Sequence, residues 1–311
     1  MPDIAVVIPT FDRRDLLQET LRTVFEQTTP AAEVIVVDDG SGDGTSELLD
    51  ELPVTAVRNP AGGWGPARAR NQGLARVSAP LVAFLDSDDL LLPTALASLG
   101  AALTAAPAAP FAFGRCLLAR HEGDGWQPVA VMGPRPEEMR APLPSLFARN
   151  FVPSVGSVVR TEAARAVGGY PEATTFAEDH HFWILLAQRG DPAFVAELTS
   201  VYRIHPGNRH TPERAEAELE QFLALADADP RLAAAVPDRL GVGLAESLGP
   251  ALKSGDLRGV ASVLHANLLS RPDKLAILRR AGRHLRSRRA DARHLAAGGE
   301  DERLGAWLAA H

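Results

Sequence analysis

Three carboxylates, Asp86, Asp88 and Asp89, end the apolar run AFLDSDD at residues 83–89. A second pair, Asp38 and Asp39, ends the run EVIVVDDGSGDGT in the same way. Like charges gathered where buried strands stop call for something that opposes them, and a hard divalent cation does so. Mg2+ takes one or two protein carboxylates together with phosphate oxygens and waters, and Mn2+ favours similar oxygen ligands. A nucleoside diphosphate and these aspartates can therefore share a site only through such an ion. The carboxylate–x–carboxylate spacing on a turn can aim one side chain at the metal and the other at a ribose hydroxyl. A carboxylate of the Asp38–Asp39 pair could accept a bond from a pyrimidine N3–H, while the following glycines let the backbone approach a ligand. The plainer alternative is helix capping, by Asp88 or Asp89 ahead of the helix near Pro93 and by an Asp ahead of a helix at Ser46.

Either use requires elements that carry these side chains to one place. IAVVIPT (4–10), EVIVV (33–37), VTAVRN (54–59) and LVAFL (81–85) are short apolar runs rich in Val and Ile, as parallel strands covered on both faces are. Between them, Leu16, Leu17, Thr20, Leu21, Val24 and Phe25 recur at helical spacing, Ser46–Leu52 reads as a short helix and residues 65–76 as another. Pro93 suits the first turn of the next helix, where its missing N–H costs nothing. Strand and helix in alternation predict an α/β doubly wound half. In such sheets ligands bind beyond the carboxyl ends of the strands. Thr10, Asp39 and Asp86 each follow a predicted strand, so they converge on one edge whatever the strand order.

The second half is less regular. FAFGRCLLAR (111–120) and WQPVAVM (126–132) predict two strands paired across the EGDG turn, and residues 133–144, rich in proline and charge, predict a mobile loop. VGSVVR (155–160) predicts a strand and TEAARAVGG a helix that ends at Gly168–Gly169. EDHHFWILLAQRG (178–190) predicts a helix with acidic residues in its first turn, and FVAELTSVYRIH (194–205) a further strand or hairpin. Past about residue 213 the strand signals stop. Two domains are expected, residues 1–212 and a helical C-terminal region, 213–311. In the latter, Arg279, Arg280, Arg283, Arg286, Arg288, Arg289 and Arg293 lie among Leu275, Leu278 and Leu285. This is either a basic amphipathic helix for an anionic membrane or acceptor, or a solvated face paired with the acidic stretch Glu213–Glu220 or with a second copy in a homodimer.

Composition narrows the classes. A formal net charge of −7 argues against a general nucleic-acid binder. The single cysteine, Cys116, leaves no partner for an intrachain disulfide and no cysteine-based metal site. The start MPDIAVVIPTF enters a strand pattern at once with no basic leader, and no apolar stretch reaches the ~18–20 residues of a membrane span. A soluble, cytoplasmic protein is the expectation.

Taken in order, VVIPTFDR, EVIVVDDGSGDGT, ARARNQGL and AFLDSDD resemble a family 2 glycosyltransferase of the GT-A fold, and FAEDHHFWILLAQRG and VYRIHPGNR resemble that family's later motifs. The likeness covers roughly residues 3–210 and rests on six weak motifs in order. It implies an inverting transfer of a sugar from a nucleoside-diphosphate sugar to an acceptor. It also implies roles. Pro9, Thr10 and Phe11 border the base and ribose, with Arg13 nearby. Asp39 reads the base edge, Arg70 faces the diphosphate, and Asn71 holds a loop. Asp86, with Ser87 beside it, takes the ribose, and Asp88 takes a Mn2+ or Mg2+ ion. His205 is a further metal or phosphate contact, and Asp179 is the base that deprotonates the acceptor. A base-edge carboxylate favours UDP- or dTDP-sugars over GDP-sugars. The acceptor stays open among a saccharide, a lipid, a natural product and a peptide. Trp64 stands where the family carries smaller residues, and either stacks on a ligand or packs.

Two other classes compete. A nucleotidyltransferase that makes nucleotide sugars carries a glycine-rich loop after its first strand, where this chain has IPTFDRR. A non-catalytic nucleotide-sugar binder needs no base, and Asp179→Asn would leave it intact.

Overall fold

A computed structural model of the chain describes residues 2–122, 125–173, 177–205, 215–254, 256, 277–284 and 307–308. The chain divides into two units, the first made of Met1–Arg135, Phe151–Pro206 and Glu300–His311, the second of Pro136–Asn150 and Gly207–Gly299.

The Val- and Ile-rich runs form the first unit's sheet. Its strands are β1 (Ile4–Thr10), β2 (Glu33–Asp38), β3 (Thr55–Arg58), β4 (Leu81–Phe84), β5 (Leu90–Leu91), β6 (Phe111–Glu122), β7 (Gly125–Met132), β8 (Ser157–Arg160) and β9 (Ala193–Ile204). Their order is β3-β2-β1-β4-β8-β6-β9-β5, with β7 attached to β6. β3, β2, β1 and β4 are parallel. β8 enters antiparallel between β4 and β6, and β6 and β9 are again parallel. The chain builds outward from β1 to β3 and then returns to β1's other side with β4. That reversal puts the switch point, where α/β sheets bind ligands, between β1 and β4.

Helices cover both faces. In chain order they are α1 (Arg14–Phe25), α2 (Thr45–Asp50), α3 (Gly65–Leu74), α4 (Ala95–Ala105) and, past α5 (Pro142–Ala148) of the second unit, α6 (Thr161–Ala166) and α7 (Glu178–Ala187). Successive strand residues point to opposite faces. Ile4, Val6 and Ile8 accordingly pack with Leu17, Leu21 and Val24 of α1 and Leu96, Leu99 and Leu103 of α4. On the other face Val7 and Val37 meet α3, where a Cβ at Gly73 would stand 2.3 Å from Val7 Cγ1. Only glycine allows that approach. Past its polar first turn, α7 is apolar, and Phe182, Trp183, Ile184, Leu186 and Ala187 are buried. Phe182 stacks on Tyr170 at 4.1 Å between ring centres, and Phe84 meets both edge-on.

Two local expectations change and one short strand is added. Pro93 precedes α4 rather than opening it, its carbonyl accepting from Thr28 N at 2.8 Å and Thr94 taking the N-cap position. Leu90 and Leu91 form a two-residue strand on β9 that is too short to show a period. Residues 133–144 are not one loop. Glu138–Arg140 is a 3-10 turn and Pro142 begins α5, where a proline is favoured.

The second unit is helical. Besides α5 it holds α8 (Ala215–Ala228), α9 (Pro230–Ala233), α10 (Val236–Ser254) and the helical residues 277–284. Leu240, Leu244 and Leu248 recur every fourth residue along α10 and pack with Ile277 and Ala281. Arg149 clamps Glu138 through Nε at 2.8 Å and Nη2 at 2.5 Å. In the arginine-rich segment Arg280 Nε donates to Asp238 Oδ1 at 2.5 Å. Leu275, Leu285, Arg286, Arg288, Arg289, Arg293 and Glu213 lie outside the described residues, as do the side chains of the rest of the acidic stretch to Glu220. Among the described residues no helix is long and apolar enough to cross a membrane.

Candidate active site

The parallel register brings the carboxyl ends of β1, β2 and β4 together. Thr10 pairs with Asp38 and Val7 with Phe84, and the backbone continues the ladders with Asp39 N donating to Thr10 O at 3.0 Å and Leu85 N to Val7 O at 3.0 Å. Pro9 has Val7's parity, so its side of the strand faces β4 beyond the last ladder bond, where a missing N–H is tolerated. Thr10 is buried, and its Oγ1 has no partner among the described residues. Phe11, the next residue, is 46% exposed on the same edge.

Past β4 the chain turns sharply, Asp89 N donating to Asp86 O at 3.1 Å. The three aspartates offer oxygens within 4.8 Å of one another. Each is answered differently. Asp88 Oδ2 lies 2.7 Å from Arg13 Nη1 and 3.0 Å from His205 Nε2, which β9 brings in from 117 residues away. Asp86 Oδ1 lies 2.5 Å from Arg70 Nη2. Asp89 is fully buried, and burial, with Asp88 and Asp86 beside it, pushes its carboxyl well above the ordinary range. Asp89 Oδ1 accepts from Arg203 N at 2.8 Å. It caps no helix, since α4 has no side-chain cap. Ser87 is buried, its carbonyl 3.0 Å from Thr20 Oγ1.

Arg203 is the residue that the motif reading passed over. It is fully buried in β9, with its Nε on the carbonyl of Asp88, its Nη1 on Glu19 of α1 and its Nη2 3.2 Å from Leu16 O. Its guanidinium also lies over the Trp126 ring at 5.4 Å. One cation thus ties the aspartate turn to α1 and to the strand that delivers His205. A charged residue inside the run VYRIH was the available signal.

On the β2 side, Asp39 Oδ1 accepts from Asn59 Nδ2 at 2.7 Å and Trp64 N at 2.9 Å, and Oδ2 accepts from Gly65 N at 2.9 Å. Gly62, Gly63 and Gly65 all take positive φ, so Asp39 moulds a loop that residues with a Cβ would strain. Asp38 instead serves its own turn and α2, accepting from Ser41 N at 2.9 Å and lying 3.2 Å from Ser46 Oγ. Trp64 is half-buried ahead of α3, with Arg68 over its ring at 5.8 Å.

On α3, Arg70 is buried and both its ends are occupied, Nη2 by Asp86 and Nη1 by Glu178 Oε1 at 2.9 Å. Arg70 thus stands between two carboxylates at the edge where a diphosphate is expected. Asn71 holds a loop as expected, with Oδ1 accepting from Tyr170 N at 2.8 Å and Nδ2 donating to Tyr170 O at 2.9 Å. Asp179, in the first turn of α7, sits deep among these groups while keeping a partly exposed face. Burial, with Glu178 next, raises its carboxyl to about 7. Its Oδ1 accepts from His180 N at 2.7 Å, so it does not cap the helix from outside.

Asp86 and Asp88 fit a hard divalent ion, and His205 Nε2 stands 3.0 Å from Asp88 Oδ2. The donors are carboxylate oxygens with one imidazole nitrogen beside them, and Arg13 Nη1 stands 2.7 Å from Asp88 Oδ2. Asp89 offers an oxygen within 4.8 Å of theirs, while its Oδ1 accepts from Arg203 N.

The chain matches known proteins over its first half. Residues 5–147 match Glycosyl transferase family 2. Validoxylamine A glucosyltransferase of Streptomyces hygroscopicus subsp. jinggangensis is 40% identical over 122 residues, 37% of this chain and 29% of that protein. GalNAc(5)-diNAcBac-PP-undecaprenol beta-1,3-glucosyltransferase of Campylobacter jejuni is 36% identical over 104 residues, 32% of this chain and 34% of that protein. The chain thus spans about a third of the length of these relatives. In shape it is similar to S. aureus TarS 1-349 in complex with UDP-GlcNAc, with a TM-score of 0.65 at 16% identity over 94% of this chain and 91% of that one. It is also similar to mannosyltransferase PcManGT of Pyrobaculum calidifontis in complex with GDP-Man and Mn2+, with a TM-score of 0.53 at 21% identity over 92% and 89% of the two chains. The fold is GT-A.

Proposed function

We propose, from the match of residues 5–147 to Glycosyl transferase family 2, that the chain is an inverting glycosyltransferase that moves a sugar from a nucleoside diphosphate to an acceptor hydroxyl or amine. The observation that carries this reading is the meeting of Asp88 and His205, 117 residues apart in the chain, with Asp86 on the same turn as Asp88 and Thr10 Oγ1 left without a partner among the described residues at the same sheet edge. A structural ion pair alone gives no reason to leave a polar atom without a partner at the same edge.

In this reading Pro9, Thr10 and Phe11 border the base and ribose, and Asp39 accepts the base N–H. Its Oδ2 serves one backbone donor, and a carboxylate oxygen can serve two. That acceptor favours UDP or dTDP. Asp86 and Ser87 contribute to the ribose end. Asp88 and His205 hold Mn2+ or Mg2+, with Arg13 as the neighbouring cation. When bound, the ion supplies positive charge for the departing diphosphate.

The acceptor's oxygen or nitrogen forms its bond to the anomeric carbon as the bond from that carbon to the diphosphate oxygen breaks. The electron pair leaves with the diphosphate and the acceptor's proton passes to Asp179. One base and a single displacement invert the carbon. A carboxyl raised to about 7 suits the base, because it is substantially ionised at neutral pH yet still holds a proton well. The enzyme works at a cytoplasmic surface or in solution on a saccharide, lipid, natural-product or peptide acceptor.

The test is calorimetric titration of UDP, dTDP and GDP with Mn2+, with Mg2+ and with EDTA, on the wild type and Asp88→Ala. Metal-dependent binding of one nucleotide that the substitution abolishes is the expected result. Absence of binding under every condition sinks the assignment.

A further inference from the structure

Arg70 is buried and joins the aspartate turn to α7. Its two Nη groups serve carboxylates from different elements, Asp86 after β4 and Glu178 in α7, 16 and 108 residues away. Its plane lies over the Tyr170 ring at 5.0 Å. The next residue, Asn71, grips the backbone of Tyr170 through both its N–H and its carbonyl. Consecutive residues of α3 therefore hold the approach to α7 and its first turn. The N-cap of α7, Ala177, stands at φ 52° and has no side chain to accept the helix's free N–H groups.

We propose that Arg70 is a positioning residue, a strut that ties the donor-side carboxylate Asp86 to Glu178 and thereby fixes where Asp179 stands over the reacting carbon. The inference rests on Asp179 being the base of the proposed transfer. It assigns Arg70 no contact with the diphosphate. A planar fork is required, because a lysine ammonium is a point charge that cannot span two carboxylates with parallel bonds. The groups that face Asp179 are Glu178, Asp86 and Arg70, with Tyr170 and Tyr202 also near. Arg70 is the cation among them, so its loss leaves Asp179 among carboxylates and phenols.

The experiment uses the full chain with Arg70→Lys and Arg70→Gln, and reads three quantities. These are kcat at saturating donor, the Kd of UDP with Mn2+ by calorimetry, and the carboxyl titration of Asp179 by NMR with carbon-13 aspartate, assigned through Asp179→Asn. Arg70→Lys is expected to lower kcat about 10²-fold, as a base displaced by about an ångström does, while the UDP Kd stays within about twofold. In Arg70→Gln the Asp179 carboxyl is expected to titrate at higher pH than in the wild type. A UDP Kd weakened about tenfold or more in Arg70→Lys with kcat retained would make Arg70 a diphosphate contact and overturn the strut. An unmoved Asp179 titration in Arg70→Gln overturns it as well. If Arg70→Gln does not fold, the kcat–Kd split in Arg70→Lys decides. If the wild type binds no nucleotide, the transferase reading falls, and the Asp179 titration alone then supports or overturns the strut.

Discussion

Asp86 and Asp88 stand two residues apart on one turn, yet they are balanced in opposite ways. Asp88, 6% exposed at its side chain, faces Arg13, which is 28% exposed and comes from the loop after β1. Asp86, 23% exposed, faces Arg70, which is 5% exposed and built into α3. The more buried carboxylate thus has the more accessible arginine, and the more open one has an arginine held by two carboxylates. A part-exposed arginine can give way to an entering cation at little cost. A buried arginine with two carboxylates cannot, because its removal strands charge away from water. One half of the turn is arranged for exchange and the other for permanence.

The largest expected effect lies on the permanent side. Asp179→Asn should cut kcat by about 10²–10⁴-fold with the UDP–Mn2+ Kd unchanged, since it removes only the proton acceptor. Steady-state kinetics beside calorimetry checks this, and a variant as active as the wild type would remove Asp179 from the chemistry. Next, Arg70→Met should lower unfolding free energy by about 3–5 kcal/mol in urea titrations, because Asp86 and Glu178 lose their shared cation in a buried setting. A change of a few tenths would erase the contrast.

The pH dependence is expected to run in two directions at once. The raised carboxyl of Asp179 must be ionised to accept a proton, so kcat should climb about tenfold per unit below about 7 and level off above it. Stability moves the other way. A carboxyl whose folded value lies above its unfolded one contributes stability that is fully present below about 4 and is lost as pH rises through about 7. Urea midpoints at pH 5 and pH 8 should fall in the wild type, and the fall should shrink in Asp179→Asn. The smallest effect belongs to the exchangeable side. Arg13→Met should change stability by at most about 1 kcal/mol, the worth of a part-exposed pair. A cost as large as that of Arg70→Met would show that the two halves are built alike.

Much of the α/β frame was legible because strands covered on both faces must be apolar throughout, as IAVVIPT, EVIVV and LVAFL are. The edge on which Thr10, Asp39 and Asp86 gather followed from the same runs without knowledge of strand order. The helix at Pro142–Ala148 was hidden because its prolines read as loop, although one of them sits in the helix's first position. Arg203 was hidden differently. A buried arginine looks like any surface arginine until the fold surrounds it with the Asp88 carbonyl, Glu19 and Trp126.

By itself the sequence determined which residues could do the chemistry and that they lie at strand ends, because residue type and strand periodicity are local properties. Only the tertiary structure decided which charge answers which. Arg13 and Arg70 are equivalent cations in the chain, and so are Asp86, Asp88 and Asp89 as acids. Their differences arise from burial and from partners 16 to 117 residues away, which long-range packing brings together and local sequence does not encode.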